Sequence, residues 1–332
     1  MKPLPLLPSL PSNVENPIQL LASDLGWHPE SRVRAQQLFE RGLPPLGSVD
    51  TLPRIFGVSP ALIHSMRVNP EQYYRTFEIP KAHGFRRIDA PRVALKVLQR
   101  WIHDHILTRE EPSPASHAFI SGRGIFSNCS AHLNRKNMMS LDISEFFQSV
   151  THIKTVRVFD SIGFAFPVSL QLADLCTLND GLPQGSPASP MIANLTMVGI
   201  DTVLDGFAQS LGGSYTRYAD DLTFSSDSHV FTEADVARVS DWLTDEGFRL
   251  NTRKTRRVGG GFRHEVTGLS ATEKSLPPRR LRRMWRKEFH VARKFGLGSR
   301  ARLEGIAGFV HQYDRALANS YAEIARQLPS QG

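Results

Sequence analysis

Three aspartates stand where side chains could grip a divalent cation. Asp142 follows the apolar run Met138-Met139-Ser140-Leu141, and Asp220 and Asp221 interrupt the β-forming stretch 214–226. Transfer of a phosphoryl group between nucleotides is catalysed by two divalent ions that clamp the attacking and departing oxygens. Mg²⁺ takes hard oxygen ligands and keeps several waters and substrate oxygens, so two or three carboxylates at strand ends suffice. If the run ending at Asp142 and the stretch around Asp220 are neighbouring strands, three carboxylates converge within ligand reach. Taken singly, each aspartate has a plainer reading as a strand-end cap or an ordinary turn residue. Two adjacent carboxylates flanked by Tyr215, Tyr218, Leu222 and Phe224 nevertheless destabilise a strand pair unless a cation offsets them.

The elements that would position these groups can be read on both sides. Residues 214–226 predict a β-hairpin turning at Ala219 and Asp220, and 138–150 read as a strand-like run. The polar, glycine-rich segment 179–190 leads into an apolar helix starting near Pro190. Thr232 caps an amphipathic helix whose stripe is Val236, Val239, Trp242 and Leu243, ended by Gly247. Upstream, short strand-like pieces from 73 precede a helix with Val93, Leu95, Val97, Leu98, Trp101, Ile102 and Ile106 on its apolar positions. Residues 1–66 read as a helical preface, and 48–66 have the outline of a helix-turn-helix, with Ser59 and Pro60 opening its second helix. That helix carries few basic residues, which favours a packing motif over a nucleic-acid reader.

Beyond 276 the character changes. Arg279, Arg280, Arg282, Arg283, Arg286, Lys287, Arg293 and Lys294 face one acid, Glu288, while Leu281, Trp285, Phe289 and Ala292 recur at helical spacing. One stripe packs and the basic faces stay exposed. A further helical region covers 300–327. The whole chain of 332 residues carries a net charge of +8, which favours a polyanionic partner without deciding it. Cys129 and Cys176, two in all, supply neither a disulfide framework nor a cysteine zinc site. The apolar start is rich in proline, unlike the core of a secretory signal. No apolar run approaches the roughly 18–20 residues of a membrane span. A cytoplasmic protein without a membrane partner is the expectation.

Tyr218-Ala219-Asp220-Asp221 resembles the Tyr-X-Asp-Asp box of reverse transcriptases. LDISEFFQSV (141–150) resembles their first catalytic motif, and GLPQGSPASPMIANL (181–195) their Pro-Gln-Gly box. GFRLNTRKT (247–255) is similar to the Gly-hydrophobic-Asn-Lys-Thr motif that follows the hairpin. FEIPKAHGFRRIDAPRVALKVLQR and HAFISGRGI resemble two motifs of the fingers. The similarity runs in one consistent order over roughly 73–310. Two features resemble the retron branch. Asn128 to His132 matches an Asn-Ala-X-X-His signature with Cys129 in place of alanine, and Val266-Thr267-Gly268 matches the motif with which retrons recognise their RNA.

The resemblance implies roles. Asp142, Asp220 and Asp221, with the backbone carbonyl of Ile143, would hold two Mg²⁺ ions, Mn²⁺ being a possible substitute. Lys254 is a candidate proton donor to the pyrophosphate leaving group, a solvated surface lysine being the plainer reading. Lys81 and Arg86 would cradle the triphosphate, with Arg87 as an alternative. Phe147 would lie under the sugar and exclude a 2′-hydroxyl, while Phe146 suits a core position. Gln184 and Gly185 would pack against the nascent base pair. Asn128 and His132 would be structural or RNA-contacting rather than catalytic, and Val266, Thr267 and Gly268, together with Arg279, Arg280, Arg282, Arg283, Arg286 and Lys287, would serve RNA binding with them.

The resulting expectation is an α+β right-hand polymerase in three parts: an N-terminal helical extension (1–70), fingers and palm (71–272) and a basic helical thumb (273–332). The resemblance implies an RNA-directed DNA polymerase that uses dNTPs to copy a structured non-coding RNA, starting at a 2′-hydroxyl to give a branched RNA–DNA hybrid. It also implies a role in bacterial antiphage defence with a separate effector protein. Another stand-alone defence enzyme or a group II intron-like reverse transcriptase is the nearest alternative. A non-catalytic RNA-binding regulator is the alternative from another class.

Overall fold

Local signals set the order of elements along the chain. A computed structural model describes residues 7–10, 16–81, 84–260 and 264–329. Four helices come first: α1 (Pro17–Leu25), α2 (Pro29–Glu40), α3 (Thr51–Phe56) and α4 (Pro60–Val68). Gly57 closes α3 at φ +62°, and the Ser59 hydroxyl accepts the Leu62 N–H at the start of α4. The strands β1 (Tyr74–Pro80) and β2 (Phe85–Pro91) form an antiparallel hairpin, and α5 (Val93–His105) follows. Leu95, Leu98, Trp101 and Ile102 of α5 are buried, but Val93 and Val97 of the predicted stripe face outward.

Next come α6 (Ile125–Ser130), β3 (Asn137–Asp142), α7 (Phe146–Ser149), α8 (His152–Ile162), α9 (Phe166–Cys176), α10 (Ser189–Thr196) and α11 (Val198–Ser210). The strand-like run expected over 138–150 is a strand only as far as Asp142. Glu145 adopts φ +47°, and the chain turns there into the short α7. The hairpin is β4 (Gly213–Tyr218) and β5 (Asp221–Ser226), followed by α12 (Glu233–Asp245). Thr232 and Asp235 cap α12 reciprocally, each accepting the other's backbone N–H. The chain closes with β6 (Arg256–Val258), β7 (Glu265–Val266), β8 (Leu269–Ala271), β9 (Ser275–Leu276), α13 (Arg279–Phe295), α14 (Arg300–Val310) and α15 (Arg315–Arg326).

These elements form two compact units, each assembled from three stretches of chain. The first comprises Met1–Phe119, Ile143–Val203 and Ser240–Leu250; the second comprises Ile120–Asp142, Leu204–Val239 and Asn251–Gly332. In the first, α9 packs against α4, α5 and α8, and Phe56 meets the Trp101 ring edge-on at 5.2 Å. In the second, a four-stranded antiparallel sheet has the order β4-β5-β3-β6, and β7-β8-β9 form a smaller sheet. The last three helices share a core of Trp285, Phe289, Leu303, Ile306, Val310 and Tyr321. Among the described residues no single helix is long and apolar enough to cross a membrane.

Candidate active site

The second unit carries the acidic site. Strand β3 lies between β5 and β6, β6 pairing with Met138 to Ser140 and β5 running on to Asp142. Its register with β5 places Asp142 directly opposite Asp221. The β4–β5 turn has two residues, Ala219 and Asp220, with Tyr218 paired to Asp221. Adjacent strands lie about 4.8 Å apart, so the three carboxylates gather at one sheet end. Asp142 is buried, with 5% of its surface exposed. Asp221 keeps a solvent edge, yet its carboxyl is pushed up to about 6, first by desolvation and then by the charges of Asp220 and Asp142. The Lys254 ammonium partly offsets this.

Lys254 reaches the site through the turn Thr252–Lys254 that precedes β6. The Asn251 N–H donates to the Asp142 carbonyl at 2.7 Å, and Lys254 Nζ donates to Asp142 Oδ2 at 2.6 Å. That bond, with the surrounding carboxylates, holds the ammonium above its ordinary value, although the side chain is 60% exposed. Ile143 is the next residue in the chain and belongs to the first unit. It bridges Leu250, and the Ser144 N–H donates to the Arg249 carbonyl beside that bridge. Neither this bond nor that to the Asp142 carbonyl uses the Ile143 carbonyl.

The first unit carries the nucleotide-binding candidates. Lys81 ends the β1–β2 hairpin, its N–H donating to the Gly84 carbonyl at 3.0 Å, and its side chain is exposed. Arg86, opposite Ile79, is exposed as well. Arg87 points to the other face of the strand and is engaged by Asp89 at 3.0 Å. Phe146 is buried against Phe248, whereas Phe147 is only half-buried, its ring beside Phe119 and Phe146. The Gln184 carbonyl accepts the Asp89 N–H at 2.8 Å. Gly185 has φ +130°, and a Cβ there would stand 3.0 Å from the Asp89 carbonyl oxygen. The glycine is required by close approach of the β2 backbone, a reason the sequence did not disclose.

Residues 79–289 match the family described as reverse transcriptase (RNA-dependent DNA polymerase). The retron Mx65 reverse transcriptase of Myxococcus xanthus is 32% identical over 304 residues, covering 82% of this chain and 70% of that protein. The retron Ec86 reverse transcriptase of Escherichia coli is 31% identical over 242 residues, covering 71% and 74%. The chain belongs to the retron reverse transcriptases. Among solved structures, a telomerase from Candida tropicalis with a fragment of telomeric RNA gives a TM-score of 0.44 at 12% identity, covering 78% of this chain and 55% of that one. The retron enzyme is thus an RNA-directed DNA polymerase with the mixed helix-and-sheet fold of its family.

Reverse transcriptases depend on divalent metal, and the donors of this one suit it. They are hard carboxylate oxygens whose mutual repulsion a cation relieves. Among the described residues no three His, Cys, Asp or Glu side chains form a ready-made metal cage; Asp142 is instead engaged by Lys254.

The RNA-binding candidates of the retron enzyme divide by exposure. His132 has no exposed surface, and its ring is clasped between the Ser225 and Thr216 hydroxyls, each at 2.7 Å. With a hydroxyl partner at each ring nitrogen, one from β4 and one from β5, His132 braces the two strands. Asn128 and Val266 are buried too, at 1% and 2%. Of the two readings open for Asn128 and His132, structural or RNA-contacting, their enclosure and that of Val266 favours the structural one. Asn128 Nδ2 lies 3.5 Å from Thr267 Oγ1, and Cys129 Sγ lies 3.9 Å from the Leu269 carbonyl oxygen. The two signatures therefore lock together, with Ser130 and the turn at Thr267 and Gly268 reaching the surface. Arg279, Arg280, Arg283, Arg286 and Lys287 are exposed on α13, while Arg282 is half-buried and donates to the Pro277 carbonyl.

One residue and one backbone conformation escaped sequence reasoning. Arg217 is wholly buried, and its guanidinium donates to the Ala219 carbonyl inside the β4–β5 turn at 3.2 Å. Ala219 itself adopts φ +57°, a conformation that costs an alanine roughly 1–2 kcal/mol relative to the right-handed regions. The alternation of Arg217 with polar neighbours carries no sign of burial. The tight two-residue turn was the one available hint of positive φ.

Proposed function

We propose that this retron reverse transcriptase copies a structured non-coding RNA with dNTPs, beginning from a 2′-hydroxyl of that RNA and leaving a branched RNA–DNA hybrid. The observation that carries the reading is the register that sets Asp142 against Asp221 at the end of the central sheet. Asp142, Asp220 and Asp221, with the Ile143 carbonyl, would hold a pair of Mg²⁺ ions, for which Mn²⁺ could substitute. When bound, the ions supply Lewis-acid activation of the attacking hydroxyl and neutralise the phosphates. Lys81 and Arg86 bind the triphosphate, Arg86 through two oxygens at once. Phe147 excludes the ribose 2′-hydroxyl, and Gln184 and Gly185 border the base pair. Lys254 hands a proton to the departing pyrophosphate.

The interlocked signatures at 128–132 and 266–268, with the basic face of α13, support recognition of the cognate RNA and of the hybrid backbone. In the cell we place the enzyme in the bacterial cytoplasm, acting in antiphage defence beside a separate effector protein. The test is to purify the enzyme with its nucleic acid and treat it with a 2′,5′-debranching enzyme. Short DNA released from RNA supports the reading, whereas protein-linked or unbranched DNA overturns it. Asp220→Asn with Asp221→Asn is expected to abolish dNTP incorporation while RNA binding persists. Retained incorporation would remove the polymerase assignment of this site.

A further inference from the structure

We infer that Phe119 is a second specificity-determining residue, forming with Phe147 an aromatic wall that selects deoxyribose over ribose; this rests on the gating role proposed for Phe147. Three observations inside the first unit carry it. Phe119 adopts φ +61°, a region in which a bulky side chain is an outlier. Such strain persists only where the surroundings enforce it, and it concentrates at ligand sites. The ring it projects is not core, for 54% of its surface is exposed. The strain therefore does not serve burial. Finally, the ring neighbours Phe147, with centroids 6.2 Å apart and planes inclined by 57°.

What enforces the strain is also visible. Ala118 is fully buried, and its carbonyl accepts the Asn194 side-chain amide at 2.9 Å. The Asn194 carbonyl oxygen in turn accepts the Ser116 hydroxyl at 2.9 Å. Asn194 belongs to α10, the helix that follows the Gln184-Gly185 loop and packs against α7, which bears Phe147. Segment 116–118 is thus pinned to the helix behind the nucleotide-binding loop, and the next residue turns its ring toward the gate. Removing the Phe119 ring leaves Phe147 without its outer neighbour and widens the space beside the sugar.

The test measures kcat/KM for dGTP and for GTP on an RNA template with a DNA primer, using the full enzyme. Phe119→Ala and Phe119→Gly are expected to lower the dGTP preference roughly tenfold or more, the scale of a missing apolar group in a pocket. Phe119→Tyr should keep it. Phe119→Gly should melt no lower than the parent, because it relieves the positive φ and uncovers no core. A reduction of both rate constants by one factor, with the ratio unchanged, overturns the inference. Phe147→Ala is the separating control. If it lowers the preference while Phe119→Ala and Phe119→Gly do not, Phe119 is no part of the wall and the gate survives. If Phe147→Ala leaves the preference intact, the gating role falls, and the inference with it.

Discussion

His132 and Lys254 show how far a residue's role depends on what surrounds it. His132 is a motif residue by sequence, but enclosure between Ser225 and Thr216 makes it a brace. Replacing it by leucine strands two buried hydroxyls, and we expect a loss of roughly 2–4 kcal/mol in urea unfolding. Lys254 raises the opposite question, since its bond to Asp142 could be an ion pair alone. Two substitutions separate the cases. Lys254→Ala should lower kcat about 100-fold with little change in KM if the ammonium transfers a proton. Lys254→Arg keeps a cation beside Asp142 but is too weak an acid to donate, so it should not restore kcat. Full restoration by arginine would reduce Lys254 to a counter-charge.

Among the elements, α13 and the hairpins separate what was legible from what was not. The packed stripe of α13 follows from 3.6-residue spacing, because that is a property of one contiguous segment. Its Glu288 was visible only as the lone acid among the bases; in the fold it accepts two bonds from Arg302 of α14, which hold its carboxyl below the ordinary value. A depressed carboxyl contributes stability above the unfolded glutamate value, and that contribution fades as pH falls through the folded value. Glu288→Gln should therefore melt below the parent at neutral pH, with the gap closing toward pH 3. The β4–β5 hairpin was legible down to its turn residues, since two short strands around a tight turn are local. The partners of His132 were not, for Thr216 and Ser225 lie 84 and 93 positions away. Nor was the end of β3 at Asp142, where the backbone of Glu145 overrides a continuing run of β-forming side chains.

At the scale of the whole molecule, charge and chain path carry the consequences. The net charge of +8 includes the exposed bases of α13. If they track a nucleic-acid backbone, each phosphate neutralised adds about 0.7–0.9 to the slope of log affinity against log salt. Arg283→Gln with Arg286→Gln should flatten that slope by up to about 2 in filter binding across 50–300 mM KCl; an unchanged slope would place the backbone elsewhere. The chain path bears on how the protein is born. Each compact unit draws on three separated stretches, and the first requires Ser240–Leu250. At about 5–20 residues per second, a ribosome makes the N-terminal helices roughly ten to forty seconds before the residues that complete their core. Asp142 likewise waits for Asp221 and Lys254 before its surroundings exist. A nascent chain stalled short of residue 250 should therefore be open to protease, and the surroundings of Asp142 cannot form before Lys254 has been translated.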